Sequence, residues 1–204
     1  MHPPRMQQGL PGFDVDEVHN LFFALQPGDA LRAKIGAAAA ALRASHAPAG
    51  RWLREARYHL TLHYLGSFSR VPDDLVARAA AAAARVRETA FDLRLDRFGS
   101  FGHRAIPLWL GPSQTPTGLS VLHASLVAEL AREGVRAGAT SFVPHVTVLR
   151  DATRPLDAPC EPEVEWRVDD FVLIDSCVQP PKPFRVLGRW RLDAPGTGTG
   201  AEFA

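Results

Sequence analysis

The sequence predicts an α+β domain of two lobes, each an antiparallel-rich sheet with helices outside, and a central cleft between them. Three observations carry this. Short strand-like runs are mixed with three helical segments rather than alternating regularly with them. A His-x-Thr pattern embedded in a strand occurs twice, at His59-Leu60-Thr61-Leu62 and at His145-Val146-Thr147-Val148. Each copy follows a helical segment, a weak internal echo that suggests two similar lobes, each presenting one strand to a shared cleft.

Leu21-Phe22-Phe23-Ala24-Leu25 is an apolar run closed by Pro27-Gly28, which reads as a buried strand. Asp29 is placed to cap an alanine-rich helix running to about Ser45. Tyr58 to Leu65 alternates and stops at Gly66. A second helix is expected from Pro72-Asp73-Asp74 to about Glu88, its alanine run being strong helix-forming sequence rather than low complexity. Phe91 to Phe98 alternates strictly, and Leu108-Trp109-Leu110 follows a turn near Gly99 to Arg104. Pro107 predicts an edge position or a bulge there. Leu119, Leu122, Leu126 and Leu130 share one face of a third helix from about Gly118 to Arg132. Val143 to Leu149, Arg167 to Val178 and Phe184 to Leu192 complete the strands. Residues 1–19 and 193–204 read as flexible tails around a domain over 20–192.

The 204 residues, 46% of them hydrophobic, are enough for a real core. A formal net charge of +1 argues against a protein that coats duplex nucleic acid, yet leaves room for one that grips a single phosphate or a strand end. Cys160 and Cys177 are the only cysteines and match no common zinc spacing, so they read as ordinary thiols. No run is long and apolar enough to cross a bilayer, and the N-terminus lacks the apolar segment of a signal peptide, so the expected location is cytoplasmic. Nothing calls for a cofactor, and the absence of heptads leaves a monomer as the expectation.

Side chains alternate along a strand, so His59 and Thr61 project together while Leu60 and Leu62 enter the core. The same separates His145 and Thr147 from Val146 and Val148. Two such strands bring two imidazoles and two hydroxyls to one small volume. Splitting a phosphodiester needs a base for the nucleophile and an acid for the leaving oxygen, and histidine serves as either near neutral pH. Thr61 and Thr147 can donate to non-bridging oxygens, and Arg150 at the strand end can add charge.

The chain resembles the bacterial and archaeal RNA 2′,3′-cyclic phosphodiesterases, historically called 2′-5′ RNA ligases, of the 2H phosphoesterase superfamily. The resemblance runs from about Leu21 to Leu192. It rests on the opening Leu21–Leu25 run, on Trp52 ahead of Tyr58–Gly66, and on Phe91–Phe101 followed by Leu108–Gly111. Phe142-Val143-Pro144-His145-Val146-Thr147-Val148-Leu149-Arg150 completes it. The resemblance implies a bilobal 2H fold and hydrolysis of an RNA-terminal 2′,3′-cyclic phosphate to a 2′-phosphate, with weak 2′-5′ joining of RNA ends. It implies His59 as proton donor to O3′, His145 as the base for water, and Thr61, Thr147 and Arg150 as phosphate ligands. It leaves open a relative acting on a small cyclic nucleotide or 2′-5′ oligonucleotide, and a non-catalytic RNA-end binding module.

Other residues keep two readings each. His59 and His63 share a face on a regular strand but lie roughly 13 Å apart, too far to chelate one ion, so no metal site is expected and His63 falls on the cleft rim or in solvent. Arg51, Arg54 and Arg57 either guide an RNA strand or are solvated. Trp52 and Phe142 either stack on a base or pack in the core. His19, His46, His103 and His123 read as structural.

Overall fold

The computed structural model describes residues 17–102, 105–135, 141–179 and 181–194. The strands are β1 (Val18–Leu25), β2 (Arg51–Trp52), β3 (Leu60–Phe68), β4 (Phe91–Ser100), β5 (Ile106–Gly111), β6 (Val146–Ala152), β7 (Ala158–Val168), β8 (Asp170–Gln179) and β9 (Arg185–Arg191). The helices are α1 (Asp29–His46), α2 (Asp73–Ala83) and α3 (Thr117–Arg132), and a single 3-10 turn covers Glu55–Arg57.

All named strands pair antiparallel, in the order β7-β4-β5-β6-β3-β1-β8-β9. The two expected sheets are therefore four-stranded halves of one sheet, joined where β3 meets β6 at the single pair Leu60↔Val146. Beyond that pair the strands part, and β2 takes up the β6 edge by pairing Arg51 with Arg150 and Trp52 with Leu149. The echo in the sequence has a structural counterpart. β1-α1-β3 and β5-α3-β6 are each a strand, a helix and a motif strand lying antiparallel beside the first.

One large core unites the helices with the sheet, built on Phe23, Leu25, Leu60, Leu62, Leu95, Leu110, Leu122, Val146, Val148 and Leu173. A smaller cluster, Phe22, Ala24, Val172 and Ile174 with Phe184 against it, covers the opposite face of the β1 half. Leu119, Leu122, Leu126 and Leu130 are all fully buried, as the helical spacing predicts.

Several boundaries depart from expectation. Asp29 is not the cap: Gly28 holds that position, and Asp29 pairs with Arg32 within the first turn. α2 stops at Ala83, and Thr89 forms a bridge to Asp193, so ordered pairing reaches one residue past Leu192. The strand expected over 167–178 is two, β7 and β8, breaking at Asp169. β7 carries Pro159 and Pro162, which disguise it in the sequence; it lies at the sheet edge, where a missing N–H is tolerated. Pro107 lies inside β5 at a register shift against β6 between Ile106 and Leu108, the bulge that proline predicts. Most of the expected tails lies outside the described residues, as does His103.

Candidate active site at the junction of the two half-sheets

His59 and His145 each stand one residue ahead of the strand that carries the rest of their motif. Leu60 and Val146, the joining pair, are fully buried on the core side. Extending that antiparallel register one step each way sets His59 across from Thr147 and Thr61 across from His145. Two imidazoles and two hydroxyls thus meet on the face opposite the core, around a local pseudo-twofold. All four are partly buried.

The imidazoles are held alike. His59 Nδ1 donates to the Arg57 carbonyl at 2.8 Å, and His145 Nδ1 donates to the Val143 carbonyl at 2.7 Å. A carbonyl can only accept, so both neutral rings carry their proton on Nδ1 and leave Nε2 as the working nitrogen. Each ring also has two aromatic walls. Phe22 stacks on His59 with centroids 4.9 Å apart, and Phe184 meets it edge-on at 5.2 Å. Phe101 meets His145 edge-on at 4.9 Å, with Trp109 at 6.3 Å. Gly99 makes room for that tryptophan: a Cβ there would lie 2.4 Å from its ring.

Burial pushes the His59 pKa down to about 4, and the nearby charges of Arg57, His145 and Arg150 add to the effect, against the bond that His59 donates to the Arg57 carbonyl. Burial also lowers His145, opposed by its bond to Val143. Both rings are therefore neutral near pH 7 in the free protein.

Positive charge gathers beside them. Arg57 lies over the Phe184 ring at 3.9 Å and donates to Ser176 Oγ at 2.8 Å and to the Lys182 carbonyl at 3.1 Å. Burial, then the charge of Arg150, lowers its own pKa. Neither Arg57 nor Arg150 has a carboxylate partner among the described residues. Two guanidiniums without counter-charges, next to neutral imidazoles and hydroxyls, form a site for an anion.

The structure separates the three arginines that the sequence grouped. Arg57 joins the site; Arg51 is exposed and pairs with Asp151 at 3.4 Å, and Arg54 is exposed. His63 is neither at the rim nor in solvent. A register shift between Phe23 and Ala24 sets it opposite Phe23, so it turns to the core side and is buried. Trp52 and Phe142 pack against the core, Phe142 stacking on His123 with centroids 4.0 Å apart. Sequence reasoning missed Phe22, Phe101, Trp109 and Phe184 as imidazole walls. Its available signal was Phe22 and Ala24 sharing one face of β1. A surface cavity beside Asp29, Arg32, Arg167 and Arg189 lies elsewhere and does not include the histidines.

The sequence matches the family model of the 2′-5′ RNA ligase superfamily over residues 27–178. The chain belongs to the 2′-5′ RNA ligase superfamily. Within that superfamily it is similar to the RNA 2′,3′-cyclic phosphodiesterase of Escherichia coli (strain K12), 34% identical over 183 residues, spanning 87% of this chain and 99% of the relative. It is also similar to the protein of that name from Geobacillus stearothermophilus, 31% identical over 123 residues, covering 58% of this chain and 37% of the relative. Among solved structures, E. coli LigT in apo form superposes with a TM-score of 0.72 at 32% identity, covering 86% of this chain and 98% of LigT. LigT complexed with 3′-AMP gives 0.73 at 33% identity over 86% and 99%. These superpositions bear out the expected α+β 2H fold for this superfamily member.

Proposed function

We propose that this protein hydrolyses the 2′,3′-cyclic phosphate at the end of an RNA strand, leaving a 2′-phosphate and a free 3′-hydroxyl. The observation that carries the proposal is the matched pair of imidazoles, each pinned through Nδ1 to a carbonyl two residues upstream, beside two threonines and two guanidiniums that have no carboxylate partner among the described residues. The similar E. coli protein is named RNA 2′,3′-cyclic phosphodiesterase, and LigT has been solved with 3′-AMP and with phosphate.

In this reading Thr61, Thr147 and Arg150 hold the non-bridging oxygens. His145 Nε2 takes a proton from water as it attacks phosphorus, and His59 Nε2 returns a proton to departing O3′. The direction of that assignment follows the superfamily resemblance. The free site is neutral at both rings but rich in positive charge. A phosphodiester anion supplies the negative charge that favours a proton on His59. With the 5′-hydroxyl of a second strand in place of water, the same pair would join RNA ends through a 2′-5′ linkage.

An oligoribonucleotide bearing a 2′,3′-cyclic phosphate, assayed beside free nucleoside cyclic phosphates, tests the substrate class, and phosphorus NMR of the product tests the direction. Turnover of the oligonucleotide to a 2′-phosphate is expected. No turnover would overturn the function, faster turnover of the free nucleotides would overturn the RNA-end assignment, and a 3′-phosphate product would exchange the roles of the two histidines.

A further inference from the structure

At the far end of β1 a second constellation stands apart from the imidazole pair. His19 on β1 is paired in register with Cys177 on β8, and Glu17 immediately precedes the strand. The donor atoms of Glu17, His19 and Cys177 all lie within 4.8 Å of one another. His19 Nδ1 is 2.8 Å from Asp175 Oδ1, and Nε2 is 3.1 Å from Glu17 Oε2. Asp175 is itself buried and fixed by Arg185, whose Nε and Nη2 reach its other oxygen at 3.1 and 3.0 Å.

Asp175 fixes the ring through Nδ1 and Nε2 faces Glu17 Oε2, so a cation at Nε2 would have a carboxylate oxygen beside it and the Cys177 thiol within reach. We infer that Glu17, His19 and Cys177 bind a zinc-class divalent cation, with Asp175 as the carboxylate that orients His19.

Nitrogen, sulfur and carboxylate oxygen are the donor types zinc takes, and bonds of about 2.0–2.3 Å place tetrahedral donors roughly 3.3–3.6 Å apart. The 3.1 Å between Nε2 and Oε2 is close to that spacing, and Cys177 Sγ needs a small inward shift, giving up its 3.6 Å contact with the Gln179 carbonyl. A carboxylate on the far nitrogen of a ligating histidine is the usual outer partner of a zinc site. Lys182 binds Oε1 of Glu17, the oxygen turned away from His19, so it need not leave. Glu17 is 40% exposed, which gives the ion a route in and a place for water as a fourth ligand.

The test is titration of metal-stripped protein with Zn²⁺ and Co²⁺. One equivalent should bind, raise Tm with metal concentration, and give the near-ultraviolet thiolate-to-cobalt band. Cys177→Ser should lose the band, His19→Gln should lose tight binding, and Asp175→Asn should weaken affinity about 10–100-fold. The double variant His59→Ala, His145→Ala should bind like the wild type, which separates this site from the imidazole pair. Absence of the band in wild-type protein, its survival in Cys177→Ser, or loss of stoichiometric binding in the double variant would each overturn the inference. So would nitrogen NMR showing His19 doubly protonated and unmoved by zinc.

Discussion

Phe184→Ala should shift the pH dependence of catalysis in a direction fixed by the structure. His59 lies between two rings, Phe22 stacked at 4.9 Å and Phe184 edge-on at 5.2 Å. Burial is the largest cause of its fall from 6.5 to about 4, a preference for the neutral ring of about 3 kcal/mol. Removing Phe184 opens one of the two walls to water. It also releases Arg57, which rests on that ring at 3.9 Å and whose charge further disfavours the imidazolium. Both changes favour protonation. If the two rings share the desolvation evenly, the His59 pKa rises by about one pH unit. The productive site carries one proton between its two imidazoles, so kcat/KM is bell-shaped, bounded by the macroscopic pKa values of the pair. Because burial lowers both rings, the wild-type bell lies to the acid side of an ordinary imidazole pair. In Phe184→Ala its acid limb should move up by about one pH unit and the bell should narrow. The assay is kcat/KM on a cyclic-ended oligonucleotide from about pH 3.5 to about 8, with chemistry limiting and the fold monitored by circular dichroism. An acid limb that stays put, or moves down, would refute the burial account of His59.

Other consequences are as definite. The unfolded chain protonates His59 near 6.5 and the folded one only near 4, so its contribution to stability is complete above 6.5. That contribution, up to about 3 kcal/mol, is lost as pH falls from 6.5 to about 4; urea unfolding should show a smaller loss in His59→Gln than in wild type, the remainder coming from groups such as His145. Arg150→Lys should lower kcat/KM about 10–100-fold with unchanged Tm, since a point charge replaces a planar two-pronged donor; full activity would reduce Arg150 to a general electrostatic role. Gly99→Ala should drive its Cβ into Trp109, costing about 1–3 kcal/mol of stability and disturbing the wall of His145, read by denaturation and turnover. Hydrolysis should continue at an unchanged rate in excess EDTA, because proton transfer is assigned to the imidazoles and the cation site lies at the other end of β1; activity lost and restored by Mg²⁺ or Zn²⁺ would contradict that.

Much of this site was legible in the sequence because its geometry is local. Alternation along a strand decides that His59 and Thr61 share a face while Leu60 and Leu62 are buried, and both leucines are at most 3% exposed. What alternation cannot convey is a slip. The shift near Phe23 turns His63 to the core, and no residue type announces it. The aromatic walls were hidden for another reason: Leu21 to Leu25 is buried on both faces, so an unbroken apolar run conceals that Phe22 looks toward His59 while Phe23 looks into the main core. Arg51, Arg54 and Arg57 are equally spaced and chemically identical. Only the 3-10 turn over Glu55–Arg57 and the distant Phe184 and Ser176 select the third. β7 escaped because its prolines contradict the pattern of an interior strand, and its edge position follows from the whole topology.

The most direct test of the central claim is single-turnover hydrolysis of a cyclic-ended oligoribonucleotide by wild type, His59→Ala, His145→Ala and the double variant, with folding verified for each. Proton transfer by a positioned group is worth roughly 10²–10⁴-fold. Each single variant should therefore lose at least about 10²-fold. The double variant should lose less than the product of the two single losses, because acid and base act in one step. A near wild-type rate in either single variant would contradict the two-histidine mechanism.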